Sequence, residues 1–274
     1  MSTLGRWWTQ APWPEFALTP DARAAIVQFG LGLDPLRVHS SPEDALSVAQ
    51  ETRLAEIAAR HQAGEPLAYI LGKTWFYGLP LSVSPAVLIP RPDTECLVEA
   101  ALRCAEPRAP LTVIDVCTGS GAVALALKSA APAWTLIGRD VCAEALAVAE
   151  RNAAALSLAI HWQQGSWLEG ASECDLIVAN PPYIATEDPL IEPSVAAYEP
   201  HLALYADEAG MFGLRRLLEQ GRTVLSRGGW IALEHGPTQA RALKDLAEGL
   251  GYAQWSVTVD LAGRDRVSLG CWEG

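Results

Sequence analysis

Apolar and polar positions follow two different periods along the chain. Through residues 1–75 the apolar residues recur at roughly helical spacing, which indicates a helical N-terminal region. From about residue 108 onward, short apolar runs typical of buried strands alternate with helical segments. This alternation is the pattern of a mainly parallel sheet with helices on both faces. The sequence therefore predicts an α/β protein with a small N-terminal helical domain.

The apolar runs predict seven strands, near residues 111–116, 134–139, 159–164, 175–179, 229–234, 253–259 and 266–271. Helices are predicted near residues 121–130, 143–156, 208–226 and 237–250. Only residues 260–265 join the last two strands, whereas a parallel crossover needs about a dozen residues or more. We therefore expect a Rossmann-like, seven-stranded, mainly parallel sheet that ends in an antiparallel hairpin.

Turn and cap signals divide the chain before the sheet. Helices are predicted over residues 21–30, from an N-cap at Ser41 to Gly64, and near residues 94–105. Aromatic and β-branched residues over 75–83 predict a short hairpin. The expected parts are a helical domain, a hairpin with linker, and a sheet domain, over residues 1–75, 76–107 and 108–274.

Composition excludes several classes of protein. Half of the 274 residues are hydrophobic and 19% are charged, which is typical of a globular chain. No 18-residue apolar run and no N-terminal signal pattern occur, so membrane-spanning and secreted proteins are not expected. The six cysteines are scattered without a Cys-x-x-Cys pair. They indicate reduced thiols in a cytoplasmic protein and no metal site.

The net charge of −12 is unevenly distributed. Residues 152–214 contain nine acidic residues and neither lysine nor arginine. Nucleic-acid binding relies on cations that neutralise phosphates, so this span argues against a nucleic-acid substrate. It favours a basic protein partner through electrostatic steering. A simply solvated acidic loop is the alternative.

A candidate cofactor site follows the first strand of the sheet domain. Asp115 lies in this strand, and a glycine turn then leads into a helix through Cys117, Thr118, Gly119, Ser120 and Gly121. Such a turn brings backbone N–H groups close to an anionic or polar ligand. Asp140 ends the next strand, where a carboxylate suits two ribose hydroxyls. Together they predict an adenosine-containing cofactor.

Two cofactors satisfy this pattern. Gly119, Gly121 and Ala124 match the dinucleotide motif, so NAD remains an alternative. The negative charge of Asp115 suits a cationic ligand better than a pyrophosphate, which favours S-adenosylmethionine. Asp115 as a local turn acceptor is the other interpretation. Trp167 would stack on adenine or belong to the core.

A second candidate site is the tetrapeptide Asn180, Pro181, Pro182 and Tyr183, which follows the apolar run 175–179. Ligands of open α/β sheets bind at the carboxyl ends of the strands. The prolines stiffen the backbone and donate no N–H, so their carbonyls are free to accept. A carboxamide, free carbonyls and an aromatic ring suit a planar –NH₂ group. A strand-terminating turn is the alternative.

These motifs, in this order, resemble class I S-adenosylmethionine-dependent methyltransferases that modify planar nitrogens. Residues 64–72, 76–79 and 87–95 are similar to the linker of the release factor glutamine methyltransferases, known as the HemK or PrmC family. Residues 199–200, 203–204, 234–239 and 260–266 resemble the C-terminal pattern of that family. The resemblance covers about residues 20–271, and the Ile-Pro-Arg-Pro block at 89–92 is its most specific part.

The resemblance implies methylation of the glutamine side-chain amide in the Gly-Gly-Gln motif of class one peptide chain release factors, and so a role in translation termination. It implies cofactor contacts at 117–121, Asp140, Trp167 and Asn180, and substrate contacts over 180–183. Asn180 and the Pro181 carbonyl would each accept an amide N–H, while Tyr183 packs on the amide plane. Residues 1–75 would recognise the substrate. A cytoplasmic monomer without direct nucleic-acid or membrane contacts is expected.

The chain departs from the family pattern at several positions. Cys117 stands where glycine is usual, Ser166 where aspartate is common, and Asp93 where glutamate is usual. Residues 209–214 carry a variant of the expected Asp-Gly-Leu. If the departures at Cys117 and Ser166 have ended activity, a non-catalytic cofactor-binding or adaptor protein is an alternative, and a nucleic-acid amino-group methyltransferase is another. Arg91 is predicted to serve either the domain junction or catalysis. His235 is predicted to be a surface or core residue, with a functional role as the alternative.

Overall fold

The computed structural model describes residues 2–10, 19–104, 110–186 and 191–274. Two compact units are present: one comprises Met1–Thr74 and Pro193–Tyr198, and the other comprises Trp75–Glu192 and Glu199–Gly274. Within the described ranges, no helix is both long enough and apolar enough to span a membrane.

The predicted helices and strands are present in the predicted order, together with short elements that the sequence analysis did not predict: α1, α3, α5, α9, α10, β7 and β8. The helices are α1 (Leu4–Gln10), α2 (Pro20–Ala25), α3 (Arg37–Ser40), α4 (Val48–Gln62), α5 (Leu67–Leu71), α6 (Glu95–Cys104), α7 (Ala122–Ala130), α8 (Ala143–Leu156), α9 (Pro193–Tyr198), α10 (His201–Leu204), α11 (Phe212–Val224) and α12 (Ala240–Gly249). The strands are β1 (Lys73–Phe76), β2 (Leu79–Ser82), β3 (Thr112–Val116), β4 (Thr135–Asp140), β5 (His161–Gln164), β6 (Cys174–Ala179), β7 (Ile184–Ala185), β8 (Tyr205–Ala206), β9 (Leu225–Glu234), β10 (Tyr252–Val259) and β11 (Asp265–Trp272). A π-helical turn continues α2 over Ile26–Gly30, and a 3₁₀ turn at Pro92–Thr94 precedes α6.

Helix α4 begins at Val48, so the predicted start at Ser41 is wrong. Ser47 caps this helix: its side chain accepts from the Gln50 amide at 3.2 Å, and the Gln50 side chain accepts from the Ser47 amide at 2.9 Å. The Asp44 and Pro42 carbonyls instead accept hydrogen bonds from the amides of Leu4 and Gly5 in the first turn of α1, each at 2.9 Å. A tertiary contact therefore outweighs the local cap signal at Ser41.

The first unit has its own apolar core. Buried residues from α1, from α4 and from the π-helical turn pack together, among them Leu4, Ile26 and Ile57. Helix α9 belongs to this unit although it comes from a distant part of the chain. The Tyr198 hydroxyl donates to the Ala63 carbonyl at 3.1 Å.

The second unit contains a seven-stranded sheet with the order β10-β11-β9-β6-β3-β4-β5. The pairs from β9 to β5 are parallel, whereas β11 pairs antiparallel with both β9 and β10. The predicted fold class, with its terminal antiparallel hairpin, is confirmed.

Alternate residues of the central strands enter two different cores. Val113 and Leu176 pack in the core that also contains residues of α6 and α7. Ile114 and Ile177 point to the opposite face and pack with residues of α11 and α12. Because both faces are covered, the strands read as continuous apolar runs in the sequence.

The strand register brings distant residues to one edge of the sheet. Val116 pairs with Arg139 on one side and with Ala179 on the other, and Ala179 pairs with Leu233. The next residue of each strand or turn therefore lies at the same carboxyl edge: Cys117, Asp140, Asn180 and Glu234. This edge carries the candidate site.

Candidate active site

A cavity of about 580 Å³ opens at the carboxyl edge of β3, β4 and β6. Its volume lies in the range of cavities that hold a small organic ligand. Most of the predicted site residues line it: Asp115, Cys117, Thr118, Gly119, Ser120, Asp140, Trp167, Asn180 and Pro182. Other lining residues were not predicted from the sequence, among them Ala86, Val87, Leu88, Pro90, Thr94, Cys142, Leu202 and Phe212.

The Asp115 carboxylate accepts hydrogen bonds from the glycine turn and from the first turn of α7. Its Oδ2 accepts from the Thr118 hydroxyl at 2.5 Å and from the Ala124 amide at 3.1 Å. Burial raises the pKa of Asp115 to about 7, although these two hydrogen bonds act to lower it. Asp115 is thus an acceptor within the turn, and it also lines the cavity. Its position is compatible with both sequence interpretations, the local turn acceptor and the acceptor for a cationic ligand.

Cys117 adopts the left-handed conformation that glycine usually supplies. Its φ is +59°, and Gly119 and Gly121 in the same turn have φ of +55° and +80°. A cysteine at this position therefore preserves the turn geometry, at a cost of about 1 kcal/mol in backbone strain. Burial raises the pKa of the Cys117 thiol well above its usual range, and the charges of Asp140 and Asp115 add to this effect. The thiol is therefore neutral near pH 7.

Gly121 provides space between the turn and the helices behind it. A Cβ at this position would lie 2.9 Å from Cη2 of Trp162 and 3.1 Å from Cβ of Ala149. The residue does not line the cavity itself, so its predicted cofactor contact stays a prediction. Because Gly121 has no side chain, α7 can begin close to Trp162 of β5 and Ala149 of α8.

The Asp140 carboxylate is held by two backbone amides. Oδ2 accepts from Gly119 at 2.9 Å, and Oδ1 accepts from Cys142 at 3.0 Å. Burial raises the pKa of Asp140, and the hydrogen bonds from Cys142 and Gly119 act in the opposite direction. Each oxygen keeps a further lone pair for a ligand hydroxyl.

The Trp167 ring forms one wall of the cavity. It meets Phe212 edge to face with a centroid distance of 6.2 Å. A Cβ on Gly213 would lie 2.7 Å from the Trp167 ring, so only glycine allows this packing. The ring is therefore both core-packed and cavity-facing.

The buried Arg139 connects the two cofactor segments, and sequence analysis missed it. Its guanidinium donates to the carbonyls of Trp167 at 3.1 Å and Glu169 at 2.7 Å, and to the Gln163 side chain at 2.6 Å. Its own carbonyl accepts from the Thr118 amide at 3.0 Å. An arginine in a buried strand is the one sequence signal that could have indicated this role.

The tetrapeptide does not face the cavity as a unit. Asn180 and Pro182 line it, whereas Pro181 and Tyr183 do not. The Asn180 side chain donates from Nδ2 to Oγ1 of Thr94 at 3.2 Å. The amide oxygen of Asn180 is not engaged by that bond.

The Tyr183 hydroxyl has a carboxylate partner, and its ring packs within the protein. Its hydroxyl donates to Oε1 of Glu234 at 3.2 Å, and its ring packs against the core beneath α11. Burial, followed by the charge of Glu234, raises the pKa of the Tyr183 hydroxyl well above its usual value. Direct contact of this ring with a substrate stays a prediction.

Arg91 and His235 have structural partners. Arg91 forms an ion pair with Glu199, which is buried. The ring nitrogens of His235 lie 2.8 Å from the Gly236 carbonyl and 2.8 Å from the Ser268 hydroxyl, and the residue is fully buried. His235 is therefore a core residue. Within the described part of the chain, no cluster of His, Cys, Asp or Glu side chains could hold a metal ion.

The residues of the cavity fit S-adenosylmethionine. Asp140 presents lone pairs suited to a ribose diol, and Trp167 presents a ring suited to an adenine. The second oxygen of Asp115 offers a negative or polar acceptor to a cationic group. The charged side chains among the lining residues are the acids Asp115, Asp140 and Glu144, which suit a ligand with a cationic end better than a pyrophosphate.

Fold and site define an S-adenosylmethionine-dependent methyltransferase. Residues 94–195 match the family model of the methyltransferase small domain, and residues 20–72 match the PrmC N-terminal domain. A solved methyltransferase of Pyrococcus furiosus shares the fold: its TM-score is 0.56 at 20% identity, and the match covers 82% of this chain and 99% of that chain.

The curated relatives specify the family. A release factor glutamine methyltransferase of Aliivibrio fischeri is 41% identical over 84% of this chain and 82% of its own length. Another, from Escherichia coli K12, is 40% identical over 83% of each protein. The chain belongs to the release factor glutamine methyltransferase family, and it is an enzyme that uses S-adenosylmethionine.

Proposed function

We propose that this protein methylates the side-chain amide nitrogen of the glutamine in the Gly-Gly-Gln motif of class one peptide chain release factors. Membership of the release factor glutamine methyltransferase family supports the substrate. Within the site, the proposal is carried by Asn180: its Nδ2 is held by Thr94, which leaves its oxygen to accept from a substrate amide.

The bound cofactor supplies a methyl group attached to a cationic sulfur. In the transfer, the lone pair of the substrate nitrogen would form the new N–C bond as the C–S bond of the cofactor breaks with its electron pair left on sulfur, and the nitrogen would release one proton to water. Oδ1 of Asn180 would accept one N–H, which would orient the lone pair and stabilise the charge that develops on nitrogen. The Pro181 carbonyl would accept the other N–H; because Pro181 does not line the cavity, this contact stays a prediction. No strong base is required.

The cofactor is held by the residues that surround the turn. Asp140 would bind the ribose hydroxyls, Trp167 would form the wall against the adenine, and the Asp115 carboxylate would attract the cationic end. The backbone of residues 117–121 completes the cradle, and Arg139 keeps the Trp167 segment in place.

Transfer of a labelled methyl group to a purified release factor tests the proposal. Wild-type release factor should be labelled, whereas a release factor whose Gly-Gly-Gln glutamine is replaced by alanine should not. DNA and ribosomal RNA are the competing substrates, and labelling of either in place of the protein would refute the proposal. Calorimetry with S-adenosylmethionine tests the adaptor form of the non-catalytic alternative: no heat at high cofactor concentration would favour a fold that no longer binds the cofactor.

The Asn180→Ala variant tests the proposed role of the carboxamide. Loss of a preorganised acceptor should lower kcat by about 10²-fold or more. The dissociation constant of S-adenosylmethionine should change far less, because the cofactor is held mainly by other residues. Turnover within a few-fold of wild type would refute this role.

We also propose that residues 1–75 recognise the release factor, that 76–107 are the hairpin and linker, and that 108–274 carry out methyl transfer. The match of residues 20–72 to the PrmC N-terminal domain supports the first assignment. The enzyme would act as a monomer in the cytoplasm, where its substrate acts.

In the first unit, Leu36 and Val48 are exposed. If this unit docks the release factor, replacing both by glutamate should raise KM for the release factor and leave cofactor affinity unchanged; an unchanged KM would contradict the assignment.

A further inference from the structure

A glutamine side chain behind the tetrapeptide is not used by the mechanism described so far. Gln239 lies directly before α12. Its Oε1 accepts from the Gly236 amide at 2.8 Å. Its Nε2 donates to the carbonyl of Tyr183 at 3.0 Å and to that of Ala209 at 3.4 Å. These partners fix the orientation of the side-chain amide, because its oxygen meets a donor and its NH₂ group meets two acceptors.

The hydrogen bond to the Tyr183 carbonyl holds the last residue of the tetrapeptide. The prolines at 181–182 donate no N–H, so they cannot be tethered through backbone amides, and their rings fix φ. A displacement of Tyr183 is therefore passed along a stiff segment to Asn180. The Asn180 side chain is held at the other end, where Nδ2 donates to the Thr94 hydroxyl at 3.2 Å. Gln239 thus supplies the tether at the far end of the segment that carries the carboxamide.

The second carbonyl partner of Gln239 belongs to a turn with an unusual backbone conformation. Glu208, Ala209 and Gly210 have positive φ angles of +57°, +53° and +84°. Such conformations at residues other than glycine persist only where surrounding contacts hold them, and they cluster at functional sites. A Cβ on Gly210 would lie 2.1 Å from the carbonyl oxygen of Tyr183. The turn therefore packs directly against the end of the tetrapeptide.

The same turn leads into α11, whose first residues reach the candidate site. Phe212 lines the cavity. A Cβ on Gly213 would lie 3.4 Å from Cβ of Pro181 and 2.7 Å from the Trp167 ring. The start of α11 thus lies close both to the tetrapeptide and to the wall of the cofactor cavity. By joining the turn before α11 to the end of the tetrapeptide, Gln239 fixes the two segments that meet at Pro181.

A local role at the start of α12 does not account for this side chain. The hydrogen bond with the Gly236 amide lies within the turn that precedes the helix. The other two hydrogen bonds of Gln239 reach residues that are 56 and 30 positions away in the chain. Both of these partners, Tyr183 and Ala209, belong to segments that lead to the cavity.

We propose that Gln239 is a positioning residue for methyl transfer, which holds the tetrapeptide through the Tyr183 carbonyl so that the Asn180 oxygen faces the methyl acceptor. The inference deepens the proposed function and rests on it, because it takes Asn180 as the group that accepts from the substrate nitrogen. Transfer requires reacting atoms that are aligned at about 3–3.5 Å, so a small displacement of Asn180 lowers kcat. Cofactor binding depends mainly on other residues and should respond little to Gln239.

Kinetic variants test the proposal. Gln239→Glu keeps the shape of the side chain, but its carboxylate only accepts and would face the carbonyls of Tyr183 and Ala209. The kcat of release factor methylation should fall by about tenfold or more, while KM for the release factor and the dissociation constant of S-adenosylmethionine change less than about threefold. Gln239→Leu removes the hydrogen bonds without adding a charge, and should lower kcat in the same way.

Two control variants separate positioning from charge and from stability. Gln254→Glu makes the same substitution at an exposed residue of β10 and should leave kcat unchanged. Asp175→Ala removes the acceptor of the Thr112 amide at 2.9 Å and of the Ser226 hydroxyl at 3.2 Å, at the opposite edge of the sheet. It should lower the free energy of unfolding and leave kcat unchanged. Wild-type kcat in either Gln239 variant would overturn the proposal, and so would a loss of cofactor affinity as large as the loss of kcat.

A second measurement needs no substrate. In NMR spectra of the ¹⁵N-labelled protein, the side-chain amide signals of Asn180 are identified by their loss in Asn180→Ala. They should shift in Gln239→Glu and in Gln239→Leu, because the tetrapeptide moves. The signals of the Asn152 amide, which donates to the carbonyls of Ser82 at 3.0 Å and Ser120 at 2.9 Å, should stay unchanged.

The two measurements distinguish failure of this inference from failure of the proposed function. If the wild-type enzyme does not methylate a release factor, the proposed substrate is wrong, and the NMR experiment still decides whether Gln239 positions the carboxamide. If the Asn180 signals are the same in wild type and in both Gln239 variants, Gln239 is not a positioning residue, whatever the substrate.

Discussion

The guanidinium of Arg91 donates to the carboxylate of Glu199, which lies 108 residues further along the chain. The other oxygen of Glu199 accepts from the Ile89 amide at 3.0 Å. Residues next to both partners line the cavity: Ala86, Val87, Leu88 and Pro90 near Arg91, and Pro200, Leu202 and Ala203 after Glu199. The ion pair therefore joins two cavity-lining segments within the second unit. The choice between a junction role and a catalytic role for Arg91 stays a prediction.

The two partners of this ion pair should differ in their effect on stability. Glu199 is 1% exposed and Arg91 is 37% exposed at the side chain. Arg91→Ala leaves a buried carboxylate without its cation and should lower the free energy of unfolding by about 3 kcal/mol. Glu199→Gln leaves a guanidinium that water can reach, and should cost only about 1 kcal/mol.

Urea denaturation measures both values. Arg215→Ala is the surface control, because the Arg215–Glu208 pair is 31% and 44% exposed at its side chains. It should cost less than about 1 kcal/mol. A larger loss in Glu199→Gln than in Arg91→Ala would contradict the asymmetry.

Cys117 should tolerate glycine better than a β-branched residue. Cys117→Gly relieves the strain at φ +59° but increases the entropy of the unfolded chain, so stability should change by less than about 1 kcal/mol. Cys117→Val should destabilise by about 2 kcal/mol, because β-branched residues rarely adopt this conformation. Thermal unfolding gives the stabilities. Equal stability of the two variants would show that this turn does not impose its conformation.

Gly121 offers a test of packing within the turn. Gly121→Ala should destabilise by about 2 kcal/mol or more, since the new methyl group overlaps Trp162 and the backbone is left-handed. It should also weaken S-adenosylmethionine binding, measured by calorimetry, because the whole turn must shift. Gly170→Ala is the control: its φ is +67°, but nothing lies within 4 Å of the added Cβ. Equal losses in the two variants would mean that strain, not packing, makes glycine necessary.

Two buried carboxylates should make stability depend on pH. Burial raises the pKa values of Asp115 and Glu234 to about 7, above the usual values of 3.8 and 4.5. Between these usual values and about pH 7 the folded protein binds more protons than the unfolded chain. These two groups therefore lower the free energy of unfolding as pH rises through that window.

The double variant Asp115→Asn, Glu234→Gln removes this contribution. Its free energy of unfolding, relative to wild type, should increase steadily from pH 5 to pH 8 in urea titrations. The charged or titratable groups facing Glu234 are Tyr183, Arg266 and Asp93, and those facing Asp115 are Asp140 and Cys117. The double variant leaves all of these neighbouring groups unchanged. A constant difference across the pH range would show that the two carboxylates do not titrate in it.

Local patterns predicted most of the second unit. Helix α8 lies at the predicted residues 143–156, and β3 and β6 begin within one residue of their predicted positions. Periodicity is a local property, and here the tertiary contacts agree with it. The first unit was less predictable, because the segment 42–44 pairs with α1 instead of starting a helix.

By itself the sequence determined the sheet, the glycine turn, Asp140 and the position of Asn180, since each depends on residues next to one another in the chain. Only the tertiary structure decided which side chains support them. Thr94 and Asn180 are 86 residues apart, and Tyr183 and Glu234 are 51 apart. The contact of Tyr183 with Glu234 exists because β6 pairs with β9, so strand order, which no local pattern records, brings their carboxyl ends together. Thr94 reaches Asn180 from the 3₁₀ turn before α6, which is a tertiary contact as well.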